Sequence, residues 1–431
     1  MSGFSFKRYD VTSVRLGGAT AYDGGALTID PAELAAIATS REVVATAEIE
    51  LVEPGESTRI VHVCDAVEPR HKPIGSAFPG WLGSPLRAGT GDTHRLSGVA
   101  VLPCAPMPWE GVTGLLVPRE SIVEASGPAA TFTPFGQTRN VVVEMTVHPG
   151  FDPERYQNEI LAVGLDVARR LGETTDGHVP DEIETIPDPG RSPNGLPRVA
   201  YVMQVVSQGV YSRSTFYGHP IDSMMPTIMN PAEVLDGSIV NANLAHPAVR
   251  IPTWMFQNHP VVRSLAARHG NEVDFAGVIL TRGHWYDPES KKRVIEQVTK
   301  LVHYMQLDGV IVTWEGGGNG IMEAEDIAAT CEAEGVAAVF MSFEYGGRDG
   351  SDMALQYFAP GLESIVSTGS LDRPVSLPAV DRVVGGDVLR LRPEIGGQFV
   401  PAADAIDFER MLHLFAACNQ AGATDWRCVE V

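Results

Sequence analysis

No stretch of the sequence approaches the roughly 18–20 uninterrupted apolar residues that a membrane-spanning helix needs. The first residues, MSGFSFKRYD, also lack the apolar core and small-residue cleavage site of a secretory signal. Cysteine is sparse: Cys64, Cys104, Cys331, Cys418 and Cys428 are scattered, odd in number and without a CxxC pair. That pattern fits free thiols in a reducing compartment rather than a disulfide framework or a structural zinc site, so the expected location is cytoplasmic. Basic clusters are missing as well. With 32 Lys and Arg against 54 Asp and Glu, the net charge of -22 excludes a protein that holds a nucleic-acid backbone or an anionic membrane. Neither GxGxxG, GxxxxGK[ST], GxSxG nor HExxH occurs, which removes the usual signatures of dinucleotide, P-loop, serine-hydrolase and zinc-protease chemistry.

What is present points to an α/β protein. A chain of 431 residues exceeds one ordinary core and suggests two domains. Residues 1–172 read as a β-rich domain ending in a helix. Its runs include Val43 to Val52 and Thr58 to Cys64, which Pro54-Gly55 would join as a hairpin, then Ser97 to Leu102, Val112 to Val117 and Asn140 to Val147. Asp152 and Pro153 open the helix. Between the strands, residues 68–91 form a long Gly/Pro-rich loop of the functional or mobile kind. Residues 173–198 lose periodicity and read as a linker.

From residue 199 to 431 short apolar runs alternate with amphipathic helices, the pattern of a Rossmann-like, doubly wound and mainly parallel sheet. The runs are Val199 to Val206, Phe275 to Leu280, Gly309 to Thr313, Val336 to Met341 and Ser364 to Val366, and a last helix is expected from Ile406 to Ala421. Ligands of such sheets bind beyond the carboxyl ends of the strands. There the sequence places Ser207-Gln208-Gly209, Glu315-Gly316-Gly317-Gly318-Asn319, Glu344 and Thr368. Glycines let backbone approach a ligand, and Glu315 or Glu344 could take a substrate ammonium or act as a base. Strand-to-helix turns need glycine in any case. Cys104, at a strand end, reads either as a small buried residue or as a nucleophile. Whether His62, His71 and His94 meet near Cys64 and Glu68 to hold a metal is open at this level; no metal signature exists in the spacing.

The ordered segments EPGES (53–57), DAVEPR (65–70), GTGDTHRLSGVAVLPC (89–104), SGPAATFTPFGQTRNVVV (126–143), VAYVMQVVSQG (199–209), LDGVIVTWEGGGNG (307–320) and CNQAGATDW (418–426) resemble the glycine, sarcosine and betaine reductase component B proprotein family across essentially the whole chain. The resemblance implies a subunit that cuts itself at an Asn-Cys bond, whose cysteine becomes an amino-terminal pyruvoyl group. That ketone captures a substrate amine as an imine. DGSIVNANLAHP (236–247) aligns on the cleavage segment and keeps the asparagine as Asn243, but Leu244 stands where the cysteine belongs. Leucine has neither a nucleophile nor a β-leaving group. Ala242 and Ala245 cannot replace it, and Ser238 and Thr253 are distant in sequence. The expectation is one intact polypeptide with a vestigial processing site at Asn243-Leu244, no pyruvoyl group and no other cofactor, a metal ion being left open.

Two functions follow. One is an enzyme subunit, an oxidoreductase component or lyase, working on a small polar or amino-acid-like substrate. Its partner would be a selenoprotein-B-like reductase subunit bearing a catalytic cysteine or selenocysteine, in a hetero-oligomer. Glu68, Arg70, His94, Cys104 and Glu315 are its catalytic candidates. Ser207, Gln208, Gly209, Gly316, Gly317, Asn319, Glu344 and Thr368 are the substrate-binding ones. The other is a non-catalytic scaffold for the same partner, with Glu68, Arg70 and His94 as salt-bridged loop anchors.

Overall fold

The computed structural model describes residues 3–73, 86–106, 118–191, 195–206, 214–241, 247–283, 287–316, 318–391, 397–418 and 420–421. The protein is α/β with mixed sheets.

In the amino-terminal part, β1 (Phe4–Asp10), β2 (Val44–Val52), β3 (Arg70–His71), β4 (Gly91–Ser97), β5 (Val99–Cys104) and β6 (Arg139–Val147) form two small sheets with β7 (Glu182–Ile186). β1 runs parallel to β4 and antiparallel to β7; β6 runs antiparallel to β2 and parallel to β5. Helix α1 (Pro153–Glu173) packs on them through Tyr156, Ile160, Val163, Val167 and Leu171. Its start is the expected one: the Asp152 carboxylate accepts the Arg155 amide at 2.9 Å and Pro153 follows.

Two expectations change here. Val44–Val52 and Thr58–Ile60 do not form a hairpin, because Thr58–Ile60 turns away to pair with Val123–Glu124 and Arg382–Val384. The turn joins two sheets rather than two neighbours. Within the expected linker, β7 is a strand that closes the edge of β1. Val112 to Val117 and residues 74–85 of the long loop lie outside the described residues.

The central sheet contains β8 (Arg198–Val206), β9 (Thr227–Met229), β10 (Asp274–Gly283), β11 (Gly309–Thr313), β12 (Ala337–Glu344) and β13 (Ile365–Ser370). Its order is β9-β10-β8-β11-β12-β13, parallel apart from the short edge strand β9. β10 is buried along its full length, as a strand covered on both faces must be. Helix α2 (Pro260–Arg268) covers one face, while α3 (Pro288–Met305) and α4 (Gly320–Ala333) cover the other. The chain moves outward from β8 to β10, then returns past β8 to β11. The switch point of this doubly wound sheet therefore lies between the carboxyl ends of β8 and β11, where such sheets open a crevice.

The expected closing helix is absent. Ile406–Phe408 is a strand on Val375–Leu377, and residues after it run through the core as irregular chain. The apolar spacing that suggested a helix arises because Met411, Leu414, Phe415, Ala417 and Cys418 are all buried. Tertiary partners replace the helical ladder: Phe415 N–H donates to Ile122 O at 2.9 Å, Ala416 N–H to Pro247 O at 2.8 Å and Cys418 N–H to Ala248 O at 2.7 Å.

Candidate active site at the sheet switch point

Glu315 lies two residues beyond β11 and is fully buried. Trp314 fixes that end of the strand, its indole N–H donating to Ser342 Oγ at 2.7 Å and its ring stacking on Phe343. Gly316 follows at φ 108°, where a Cβ would come within 2.8 Å of Val206. Only glycine lets the chain turn so close to β8. The Glu315 carboxylate accepts Val206 N–H at 3.0 Å, so it bridges the two strands that flank the switch point.

Its other oxygen accepts Ile251 N–H at 2.8 Å and the side-chain amide of Asn241. These residues flank positions 242–246, so one carboxylate clasps both ends of the segment that contains Asn243 and Leu244. A second layer tightens the clasp. Arg250 donates to the carbonyls of Asn241 and Cys64 and meets Asp65 at 3.1 Å. Asp65 in turn accepts the Thr253 hydroxyl at 2.5 Å and the Thr253 amide at 3.1 Å, and Asn241 N–H donates to Thr253 Oγ1 at 3.3 Å. Asp65, Arg250, Asn241 and Thr253 are buried.

Burial pushes the Glu315 carboxyl up to about 7, outweighing the two amides, the Arg250 charge and Asn241, which all favour the anion. The same cause raises Asp65 and lowers Arg250. A carboxyl that exchanges its proton near neutrality, at the mouth of a parallel sheet, can act in acid–base chemistry. Position alone pointed to Glu315. Asn241, Arg250, Asp65 and Thr253 went unrecognised as partners of Glu315; the hint for Asn241, Arg250 and Thr253 was the placing of charged and polar residues inside the otherwise apolar runs IVNAN and PAVRIPTW.

The remaining candidates divide. Glu68, Arg70 and His94 belong to the amino-terminal part. One Glu68 oxygen accepts from Arg70 Nε at 2.8 Å and Nη2 at 2.6 Å, and the other accepts from Arg95 at 3.0 Å. Burial would raise this carboxyl, but Arg95 and Arg70 hold it below the ordinary range. Arg70 also donates to the carbonyls of Leu235 and Gln257. This is the arrangement of a loop anchor. His94 contacts Thr175 Oγ1 at 2.8 Å, and burial pushes its ring down to about 4. Cys104 is buried against Cys64, and burial raises its thiol well above the usual value. His62 pairs with Glu120 at 2.7 Å rather than with His71 or His94, and among the described residues no three His, Cys, Asp or Glu side chains are grouped to hold a metal. Asn319 caps α4 without a side-chain bond, Glu344 ends β12 half-buried, and Thr368 lies on β13. Ser207, Gln208, Gly209, Gly317, Asn243 and Leu244 lie outside the described residues. Their described neighbours Val206, Gly316 and Asn241 all contact the clasp or its immediate turn.

Comparison with known proteins places this geometry in context. The family described as glycine/sarcosine/betaine reductase component B subunits matches residues 3–425. The alpha subunit of sarcosine reductase complex component B from Peptoclostridium acidaminophilum is 32% identical over 382 residues, covering 87% of either chain. The glycine reductase complex component B subunits alpha and beta of Acetoanaerobium sticklandii are 33% identical over 386 residues, again 87% of each. The betaine reductase complex component B subunit alpha of Peptoclostridium acidaminophilum is 30% identical over 387 residues, 87% of this chain and 86% of that one. No solved structure matches.

Proposed function

The chain belongs to the glycine/sarcosine/betaine reductase component B family, and from that premise we propose that it is the substrate-handling subunit of a heteromeric reductase. It works as one uncut polypeptide without a pyruvoyl group. The substrate is small and polar or amino-acid-like, and its bond is cleaved reductively or by elimination. The observation that carries this reading is the Glu315 clasp. Beside the sheet's switch point it bonds Asn241 and Ile251, which in sequence stand on either side of the stretch aligned with the family's processing site, and the residue after Asn243 is leucine.

The residues present do not fit a pyruvoyl precursor. Asn241, Pro247, Ala248 and Val249, the described neighbours of the segment, carry neither thiol nor hydroxyl. Thr253 is close in space, but its hydroxyl is engaged by Asp65 and Asn241. A nucleophile on another residue also cannot turn residue 244 into a keto group. Bond activation then falls to the partner's thiolate or selenolate and to acid–base work by Glu315.

The non-catalytic reading draws on the buried and internally satisfied state of Glu68 and Arg70. Co-expression with a cysteine- or selenocysteine-bearing component B subunit separates the two. Co-purification with substrate-dependent consumption of a dithiol supports the enzyme, and Glu315→Gln should abolish that consumption. Co-purification with no turnover of glycine, sarcosine or betaine supports the scaffold.

A further inference from the structure

The turn that carries Glu315 combines two opposed requirements. Residue 316 has to be glycine, because a Cβ there would lie 2.8 Å from Val206, yet glycine at φ 108° leaves the backbone with little restraint of its own. The Glu315 carboxylate must at the same time meet Val206 N–H, Ile251 N–H and the Asn241 amide. Those three bonds persist only while the next residue keeps one backbone conformation. The restraint has to come from outside the turn.

Gln420 provides it. This side chain is 1% exposed, and its amide nitrogen donates to Gly316 O at 3.2 Å. A backbone carbonyl can only accept, so the nitrogen is the atom that faces it and the orientation of the carboxamide is settled. Holding that carbonyl holds the ψ rotation of Gly316, the rotation that a Cβ would otherwise limit. The far side of the turn is tied down as well, since a backbone hydrogen bond joins Gly318 to the phenol of Tyr345, the residue after β12. Among the described residues the amide oxygen of Gln420 has no hydrogen-bond partner. A buried polar atom in that state costs about 1–3 kcal/mol, so an apolar side chain of equal length would serve packing better. The carboxamide is accounted for by what its nitrogen does. Its chain neighbours reach the other side of the clasp: Phe415 lies under the Arg250 guanidinium, and Cys418 N–H donates to Ala248 O at 2.7 Å.

We infer that Gln420 is a positioning residue for Glu315: its bond to Gly316 O locks the turn against β8 and so keeps the Glu315 carboxyl buried between Val206 and Ile251. The inference rests on the reading of Glu315 as the site's acid–base group and says how that group is held. Freeing Gly316 lets the turn lift from β8 and water reach the carboxyl, and the burial that favours its protonated form is then relieved.

Gln420→Met keeps the length of the side chain and removes the donor. Gln137→Met is the control, because Gln137 Nε2 also donates to a backbone carbonyl at 3.2 Å, that of Ala130, outside the Glu315 turn. Urea titrations at several pH values, each protein paired with its Glu315→Gln counterpart, give the pH at which the Glu315 contribution to stability is lost. Hydrogen exchange at the Val206 and Ile251 amides reports the two bonds directly. In Gln420→Met the midpoint should fall by about one pH unit or more from its wild-type position near 7, and both amides should exchange about tenfold faster. In Gln137→Met both readouts should match the wild type, whatever happens to overall stability. Gln420→Asn, one methylene shorter, should move both in the same direction as Gln420→Met, and it keeps the test readable where the methionine variant fails to fold. An unmoved midpoint with unchanged exchange in the Gln420 variants would overturn the inference, as would equal shifts in Gln137→Met. Neither readout involves turnover or a partner, so the positioning role and the proposed reductase function can fail independently.

Discussion

Glu315 is the residue on which the site turns, and its proton has a thermodynamic signature. Its folded value of about 7 lies above the ordinary 4.5. The folded state thus binds the proton more tightly than the unfolded chain does. This contribution to stability is full below about pH 4.5 and is lost as pH rises toward 7, a change on the order of 3 kcal/mol. Glu315→Gln removes the titration. The stability difference between wild type and variant should therefore change in that window and level off above it, as urea titrations at several pH values would show; parallel curves throughout would contradict the burial argument. Glu68 belongs to a different kind of group. Glu68→Gln leaves Arg70 and Arg95 short of their counter-charge in the interior and should destabilise by about 3–5 kcal/mol. A loss under about 1 kcal/mol in the same titration would show that the anchor is solvated. Glu315 was legible because strand ends are where parallel sheets do chemistry. Its partners were not, since Asp65, Asn241, Arg250 and Thr253 come together only through tertiary folding, and no spacing rule links them.

At the scale of elements, the parallel strands and their covering helices were readable because burial on both faces leaves unbroken apolar runs. Caps such as Asp287, which accepts the Ser290 amide at 2.8 Å, marked the helix starts. The errors share one cause. Residues 411–418 carry helix-like apolar spacing, yet they thread between the two parts of the molecule, where Ile122, Pro247 and Ala248 satisfy their backbone. Local pattern cannot report a partner that is hundreds of residues away. The hairpin at Pro54-Gly55 failed for the same reason: a turn was present, but the second strand found closer partners elsewhere. Phe415 is the keystone of the threaded segment. It is fully buried, packs on Phe135 and lies under the Arg250 guanidinium of the clasp. Phe415→Ala should cost about 3–5 kcal/mol. It should also loosen the Arg250 side of the clasp, read as faster hydrogen exchange at the Ile251 and Val206 amides relative to a core control such as Val142. Unchanged exchange at both amides would uncouple the segment from the site.

For the whole molecule, family membership and a mixed α/β architecture are in hand, and among the described residues no helix is long and apolar enough to cross a membrane. The relatives are named as subunits of reductase complexes, so the strand-end crevice is proposed to face a partner that completes the reaction. The proposed departure from the pyruvoyl chemistry that the resemblance implies rests on a single position of the sequence, Leu244, which follows Asn243; Glu315 bonds Asn241 and Ile251 on either side of it in sequence. The intact mass of the purified protein tests that difference most directly. The account predicts one polypeptide of 46.3 kDa with no break near Asn243. Two fragments meeting between residues 243 and 244, the second with a carbonyl in place of its terminal amine, would contradict it.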